Sequence, residues 1–254
     1  MPNLFSRLNY EVPFPGAEYL NESDVSRVVT PVLTPQQGFV NWFFGGSDIS
    51  LISYDGTHTL TEAHTSLTKT YGEFYVELPA NAAQLLNGLR TEYGDANSQT
   101  ICAAIRYSGE PAQILLGSMS GTSGECLQMT GAGAIAYSYK SASTGATVAT
   151  VVPVPAGLAA GDDIFIAISR TGDNVTAFVG GAASKLTLTG AAKLTDQNLK
   201  TGVGNCNFST TAGYSKLIRC YELLYSASAM TESQLDAVYA NSVTRCALRG
   251  ISLM

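Results

Sequence analysis

Charge is scarce in this sequence. Asp, Glu, Lys and Arg make up 13% of its 254 residues, and the fourteen Lys and Arg form no run or patch. That excludes the electrostatic footprint of a nucleic-acid binder. Histidine occurs twice and tryptophan once. The five cysteines, Cys102, Cys126, Cys206, Cys220 and Cys246, are irregularly spaced and include no CxxC pair. Neither a disulfide framework nor a zinc site follows from them. Cys102 and Cys220 sit in apolar strands and read as small buried hydrophobes. No apolar run approaches the roughly 20 residues that cross a membrane, so no membrane insertion is expected. The opening MPNLFSRLNYEVPF lacks the continuous apolar segment of a secretory signal. The expectation is a protein made in a reducing cytoplasm, in which Asn21-Glu-Ser, Asn174-Val-Thr and Asn207-Phe-Ser are chance matches to a glycosylation pattern. P-loop, GxGxxG and GxSxG patterns are missing as well. Gly202-Val-Gly204 is too short for a phosphate cradle and reads as a tight strand turn.

What the sequence does contain is strand material. Apolar residues reach 45% and glycine is frequent at 25 residues, as expected for many strands joined by tight turns. Net charge is −6, and it is uneven: residues 1–99 carry eleven acidic against four basic side chains, residues 100–254 nine against ten. The acidic first part serves solubility or meets a basic partner. Short β-rich segments recur from residue 47 onward: 47–54, 73–78, 100–107, 111–119, 126–131, 134–139, 147–155, 162–170, 174–180, 184–190, 199–205 and 215–225. Thr171-Gly172-Asp173 is a hairpin turn signal between two of them. This spacing predicts an antiparallel sandwich or jelly roll. One helix closes the domain, predicted over 231–243. Thr231 and Gln234 fit a capping box, Glu232 and Asp236 suit the positive end of the helix dipole, and Leu235, Val238 and Tyr239 form one apolar stripe.

Residues 1–45 read as an N-terminal arm, with the sandwich domain over 46–254. Five of the nine prolines fall in the arm (Pro2, Pro13, Pro15, Pro31, Pro35). Its apolar side chains, Leu4, Phe5, Leu8, Tyr10 and Phe14 among them, are too many for a free disordered tail. The arm is expected to dock on its own domain or on a neighbour, with homo-oligomerisation as the outcome.

Four segments in order, TICAAIRY, IFIAISRTGDNVTAFVGG, LKTGVGN and LIRCYELLYSASAMTESQLDAVYA, make residues 100–243 resemble the concanavalin A-like, laminin-G-like jelly-roll family. The resemblance implies an all-β, antiparallel concanavalin A-like β-sandwich with one short C-terminal helix. It also implies that the helix covers the sheet where strands curl away. The family's central strand carries a Trp or His motif, and Asp162-Asp163-Ile164 stands there instead.

Several residues invite chemistry, each with a plainer reading beside it. Glycosidases of this fold carry E-x-D-x-E on a strand, and the nearest match is Glu73-Phe-Tyr-Val-Glu77. On a strand these Cα atoms would stand about 13 Å apart, whereas retaining hydrolysis needs carboxylates about 5 Å apart. Tyr75 replaces the central acid, and a solvated strand face explains the same residues. His58, Glu62 and His64 form a transition-metal pattern or simply a polar loop. Asp162, Asp163 and Asp173 flank the central hairpin and would suit calcium, which takes roughly 6–8 oxygens, or are ordinary strand-end and turn residues. Tyr107, Tyr137 and Tyr139 are candidates for a sugar platform or sheet-face residues.

The resulting expectation is a non-enzymatic protein without a cofactor, calcium aside. Resemblance to lectin-like virion proteins implies a bacteriophage tail fibre, baseplate or capsid decoration protein. Its partners would be other virion proteins and a host-surface glycan, and its place the virion. A glycoside hydrolase using Glu73 and Glu77, and a free bacterial carbohydrate-binding module, are the alternatives.

Overall fold

The computed structural model describes residues 33–64, 68–81, 86–181, 184–210 and 213–254. In chain order the strands are β1 (Val40–Phe43), β2 (Thr61–Glu62), β3 (Thr70–Tyr71), β4 (Val76–Leu78), β5 (Leu89–Gly94), β6 (Ser98–Arg106), β7 (Gln113–Gly117) and β8 (Glu125–Met129). They continue as β9 (Ile135–Lys140), β10 (Thr147–Val151), β11 (Asp163–Thr171), β12 (Asn174–Val179), β13 (Lys185–Leu188), β14 (Lys200–Val203) and β15 (Ile218–Ser226). Helix α1 (Glu232–Ala247) follows.

The strands form two antiparallel sheets. The larger runs β13–β12–β11–β6–β15–β4–β3, the smaller β10–β9–β8–β7–β14–β5–β2. In the larger sheet β15 has β6 on one edge, while β1 and β4 lie end to end along its other edge. This is the all-β sandwich with one C-terminal helix that the sequence predicts.

Alternation along the strands sorts two cores. Ile101, Ala103 and Ile105 of β6, Ile164, Ile166 and Ile168 of β11, and Val175, Ala177 and Val179 of β12 point between the sheets. They meet Leu116, Leu127, Met129 and Tyr137 of the smaller sheet in one cluster. The residues between them, Cys102, Phe165, Ala167 and Phe178, face outward and are buried beneath Leu235 and Val238 of α1. These strands are covered on both faces, so they read as continuous apolar runs. A helix of this length is marginal alone, and burying Leu235 and Val238 contributes about 1.5–3 kcal/mol each.

Local sequence explains the ends and turns. Thr231 accepts from the Gln234 backbone N–H and Gln234 reaches back to the Thr231 N–H, so the capping box forms. The helix continues past 243 because Arg245 and Cys246 find buried partners on the sheet. Gly172, at φ +58°, takes the first central position of the two-residue turn between Thr171 and Asn174, which fits the type II′ pattern. At Gly202 a Cβ would run into the Leu89 carbonyl, so β14 can lie between β5 and β7 only with glycine there.

Three sequence expectations change. Residues 47–54 hold a 3-10 turn over Asp48–Leu51 rather than a strand, because Ser47 caps it, accepting from the Ile49 N–H. The described part of the arm, from 33 to 45, belongs to the sandwich: β1 pairs with β15, and Trp42 and Phe44 lie in the main core. Strand β5 stands where the sequence offered no strand pattern. Leu4, Phe5, Leu8, Tyr10 and Phe14 lie outside the described residues.

Two charged groups are sealed inside. On the outer face, Glu222 receives Arg245 at 3.0 and 3.1 Å and Arg249 at 3.5 Å under the second half of α1. Between the sheets, Glu125 meets Arg170 at 2.8 Å, Lys193 at 2.9 Å and the Tyr137 hydroxyl at 2.6 Å. Lys193 also contacts Asp95. All five cysteines are buried free thiols.

Candidate functional site

Helix α1 leaves one end of the larger sheet open. There the register sets Asp163 opposite Arg106, Arg106 opposite Arg219, and Arg219 opposite Glu77. Period two turns all four outward while Ile105, Ile164, Ile218 and Val76 point into the core. The result is a row across β11, β6, β15 and β4 with charges −, +, +, −. Like charges directly opposite destabilise a sheet, and here each arginine has its own carboxylate. Arg106 binds Asp163 through Nε at 2.9 Å and Nη2 at 3.1 Å. Arg219 binds Glu77 Oε2 through Nε at 3.2 Å and Nη2 at 2.9 Å.

Aromatic rings frame the row. The Arg219 guanidinium lies 4.0 Å from the centroid of Tyr75, a cation–π distance. Tyr75 meets Tyr221 edge-on, and the Tyr221 hydroxyl donates to Asp163 at 2.6 Å. Burial, then that hydrogen bond to Asp163, push the Tyr221 hydroxyl well above the ordinary phenol range. The hydrogen bond to Asp163 raises Arg106 in turn. A cleft of about 140 Å³ opens beside it, lined by Arg106, Arg219, Glu77, Tyr107, Ser108 and Leu217. The Arg106 side chain is 41% exposed and that of Arg219 25%. Both present donors to the cleft, with a tyrosine ring and a serine hydroxyl beside them. Such a surface can hydrogen-bond hydroxyls and a carboxylate while a ring packs on a sugar face.

The row draws together three residues that the sequence assigns to three different chemistries: Glu77, Asp163 and Tyr107. Their companions go elsewhere. Glu73 is exposed on the bend before β4 and shares no strand with Glu77, so the two carboxylates do not form the strand pair required of a glycosidase. Tyr137 is wholly buried against Glu125, and Tyr139 is half-buried in the smaller sheet beside it. The three tyrosines therefore form no common platform. Asp162 accepts the Ala159 N–H at 2.7 Å. Asp173 sits in the turn at the far end of the nine-residue strand β11, about 30 Å away. The three aspartates cannot share an ion. His58 pairs with Glu92 at 2.7 Å and Glu62 with Lys69. Among the described residues no group of three His, Cys, Asp or Glu side chains could hold a metal. Sequence reasoning missed Arg106 and Arg219. Their signal is an arginine at an outward position of an otherwise apolar strand, in AAIRY and LIRCY.

No family model matches the chain, and no curated protein matches it in sequence. Solved structures do match in shape. The receptor-binding domain of botulinum neurotoxin D superposes with TM-score 0.56 at 8% identity, over 80% of this chain and 52% of that one. The shared fold is an antiparallel β-sandwich. The botulinum neurotoxin G binding domain gives TM-score 0.54 at 11% identity over 81% and 51%. The binding domain of Paraclostridial Mosquitocidal Protein 1 gives 0.55 at 13% over 80% and 52%. The sandwich spans about half the length of each of these chains, and at such identities the likeness concerns the fold alone.

Proposed function

We propose that this chain is a non-enzymatic binding module that takes an acidic glycan at the Arg106–Arg219 cleft. The charge row carries the reading: two adjacent guanidiniums, each balanced by a carboxylate, beside the rings of Tyr75 and Tyr107. Two balanced arginines offer bidentate donors to a sugar carboxylate without a large positive field. The shape likeness to toxin receptor-binding domains supports a binding role. The serotype D domain has also been solved in complex with N-acetylneuraminic acid, which is a property of that protein. The ion pair at Glu77 argues for recognition rather than glycoside hydrolysis.

The test is titration of the purified protein with a panel of neutral and carboxylated oligosaccharides, beside Arg219→Ala and Tyr107→Ala. The expected result is binding confined to carboxylated members and weakened about tenfold or more in Arg219→Ala, the loss of a charge-assisted hydrogen bond. Binding that is indifferent to Arg219 overturns the assignment. The finer reading, an adhesion or decoration protein on a phage tail or capsid, rests on the virion-lectin resemblance and on the apolar stretch 1–32. Light scattering of the full chain beside a chain lacking that stretch tests it. An oligomer that becomes a monomer supports an assembly role, and two identical monomers remove it.

A further inference from the structure

The sealed cluster between the sheets has a second use that ligand binding does not touch. Asp95 follows β5 directly, Lys193 lies in the segment before β14, and Glu125 opens β8. The Lys193 and Asp95 side chains have no solvent exposure and Glu125 has 1%. Lys193 Nζ touches Asp95 Oδ1 and lies 2.9 Å from Glu125 Oε1. Ser118 Oγ donates to Asp95 Oδ1 at 2.7 Å, and the Asp196 backbone N–H approaches Oδ2 at 3.3 Å. Arg170 and the Tyr137 hydroxyl hold the other oxygen of Glu125. An amine, a carboxyl group and a second carboxylate thus stand in contact in a buried, preorganised site.

We propose that Lys193 and Asp95 condense to an intramolecular amide bond, with Glu125 carrying the proton. The ion pair first passes one proton from nitrogen to oxygen, giving a neutral amine and a carboxylic acid. Burial raises the Asp95 carboxyl, which favours the proton on oxygen. The Nζ lone pair attacks Asp95 Cγ. The Asp196 N–H faces Oδ2, where negative charge develops. The excess proton on nitrogen moves to Glu125 Oε1 and then to the departing Oδ1, beside the Ser118 hydroxyl. The C–N bond forms, the C–Oδ1 bond breaks, and one water leaves. No oxidant or other reactant is needed.

The charge balance supports the step. Before it, Asp95 and Glu125 oppose Lys193 and Arg170; after it, Glu125 and Arg170 remain as a matched pair. Two buried charges disappear and none is stranded. Glu125 is ionised at rest: burial alone would raise its pKa, but Lys193 and then Arg170 hold it down at about 2. The Lys193 part of that hold lapses once the amine has lost its charge, which strengthens Glu125 as a base at the moment it takes the proton. The absence of solvent exposure disfavours hydrolysis of the product.

The test is the intact mass of the full-length denatured protein, followed by tryptic peptide mapping. The expected mass is lower than that of the sequence by one water. Cleavage after Lys193 should be lost, and residues 91–106 should appear joined to 186–200 through Asp95 and Lys193. Lys193→Arg keeps the charge but not the nucleophile, and it should restore the full mass, as should Glu125→Ala. The full sequence mass with free cleavage after Lys193 overturns the proposal. A missing water with no linked peptide, as from an aspartyl succinimide, overturns it equally. Should a variant fail to fold, the measurement on the unaltered protein decides alone.

Discussion

Replacing Glu222 by Gln keeps the side-chain volume and removes one charge. Glu222 is fully buried and is the carboxylate shared by Arg245 and Arg249, which are 3% and 5% exposed. Arg245 would retain Ser242 Oγ at 2.8 Å, and Arg249 the Tyr221 carbonyl at 2.9 Å. Neither partner carries a charge. Two cations would then stand in a low-dielectric site with their shared carboxylate gone, the Phe43 ring 5.6 Å and 5.9 Å from the guanidinium carbons. Breaking a buried pair in this way costs about 3–5 kcal/mol, a large part of a stability of about 5–15 kcal/mol. In urea, with an m-value of about 2–3 kcal/mol/M, the midpoint should fall by about 1–2.5 M at unchanged slope. Glu77→Gln is the built-in comparison. It breaks the same kind of Arg–Glu pair, but with both side chains about a quarter exposed, and should cost under about 1 kcal/mol. Equal losses at the two sites, or a loss under about 1 kcal/mol at Glu222, would refute the argument that burial rather than pairing sets the cost.

Two further expectations follow from the buried groups. Glu125 has a folded-state pKa of about 2 against a reference of 4.5, so its pairing stabilises the fold above the reference value and is lost as pH falls from about 4.5 toward 2. Asp95, raised by burial, opposes this trend; condensation with Lys193 removes that opposition together with the Lys193 share of the hold on Glu125, leaving Arg170 and Tyr137 to supply the acid dependence. Thermal melts between pH 7 and pH 2.5 should show the acid loss, and Glu125→Gln should flatten it; a wild-type profile level across that range contradicts the linkage. Burial pushes all five thiols up, Cys206 and Cys246 to about 12. A thiol reagent at pH 8 should therefore find none in the native protein and five after denaturation, and rapid native labelling at any of them counts against the packing described.

Local rules of the sequence carried over where one short segment decides the outcome. Thr231 and Gln234 announce a helix start that needs no knowledge of the rest, and Thr171-Gly172-Asp173 announces a turn in the same way. Residues 47–54 misled because their alternating apolar pattern competes with a serine cap preceded by two glycines, and the cap prevails. The candidate site was legible only in fragments. Glu77, Asp163 and Tyr107 each stood out, but what joins them is the register of β11, β6, β15 and β4, and register is a long-range property of the folded sheet. Tyr137 misled for the opposite reason. Its alternating Tyr-Ser-Tyr segment looks like a surface strand, yet Glu125 of the neighbouring β8 and Arg170 of β11 in the other sheet give its hydroxyl buried partners.

The position of β15 bears on how the chain is made. It follows every other described strand of the sandwich in the sequence, and it accepts β6 on one edge and both β1 and β4 on the other, with Val40 opposite Tyr225. A ribosome-bound chain that ends before Ile218 therefore holds its earliest and its middle strands without their common neighbour. Their backbone groups on the edges that β15 pairs stay unpaired until that strand has been made. Closure depends on contacts between distant parts of the chain, which slows folding and prolongs the aggregation-prone interval. Production of this protein should thus be governed by how well the cell shields that unfinished sheet, and lower temperature or added chaperone capacity should raise the soluble yield.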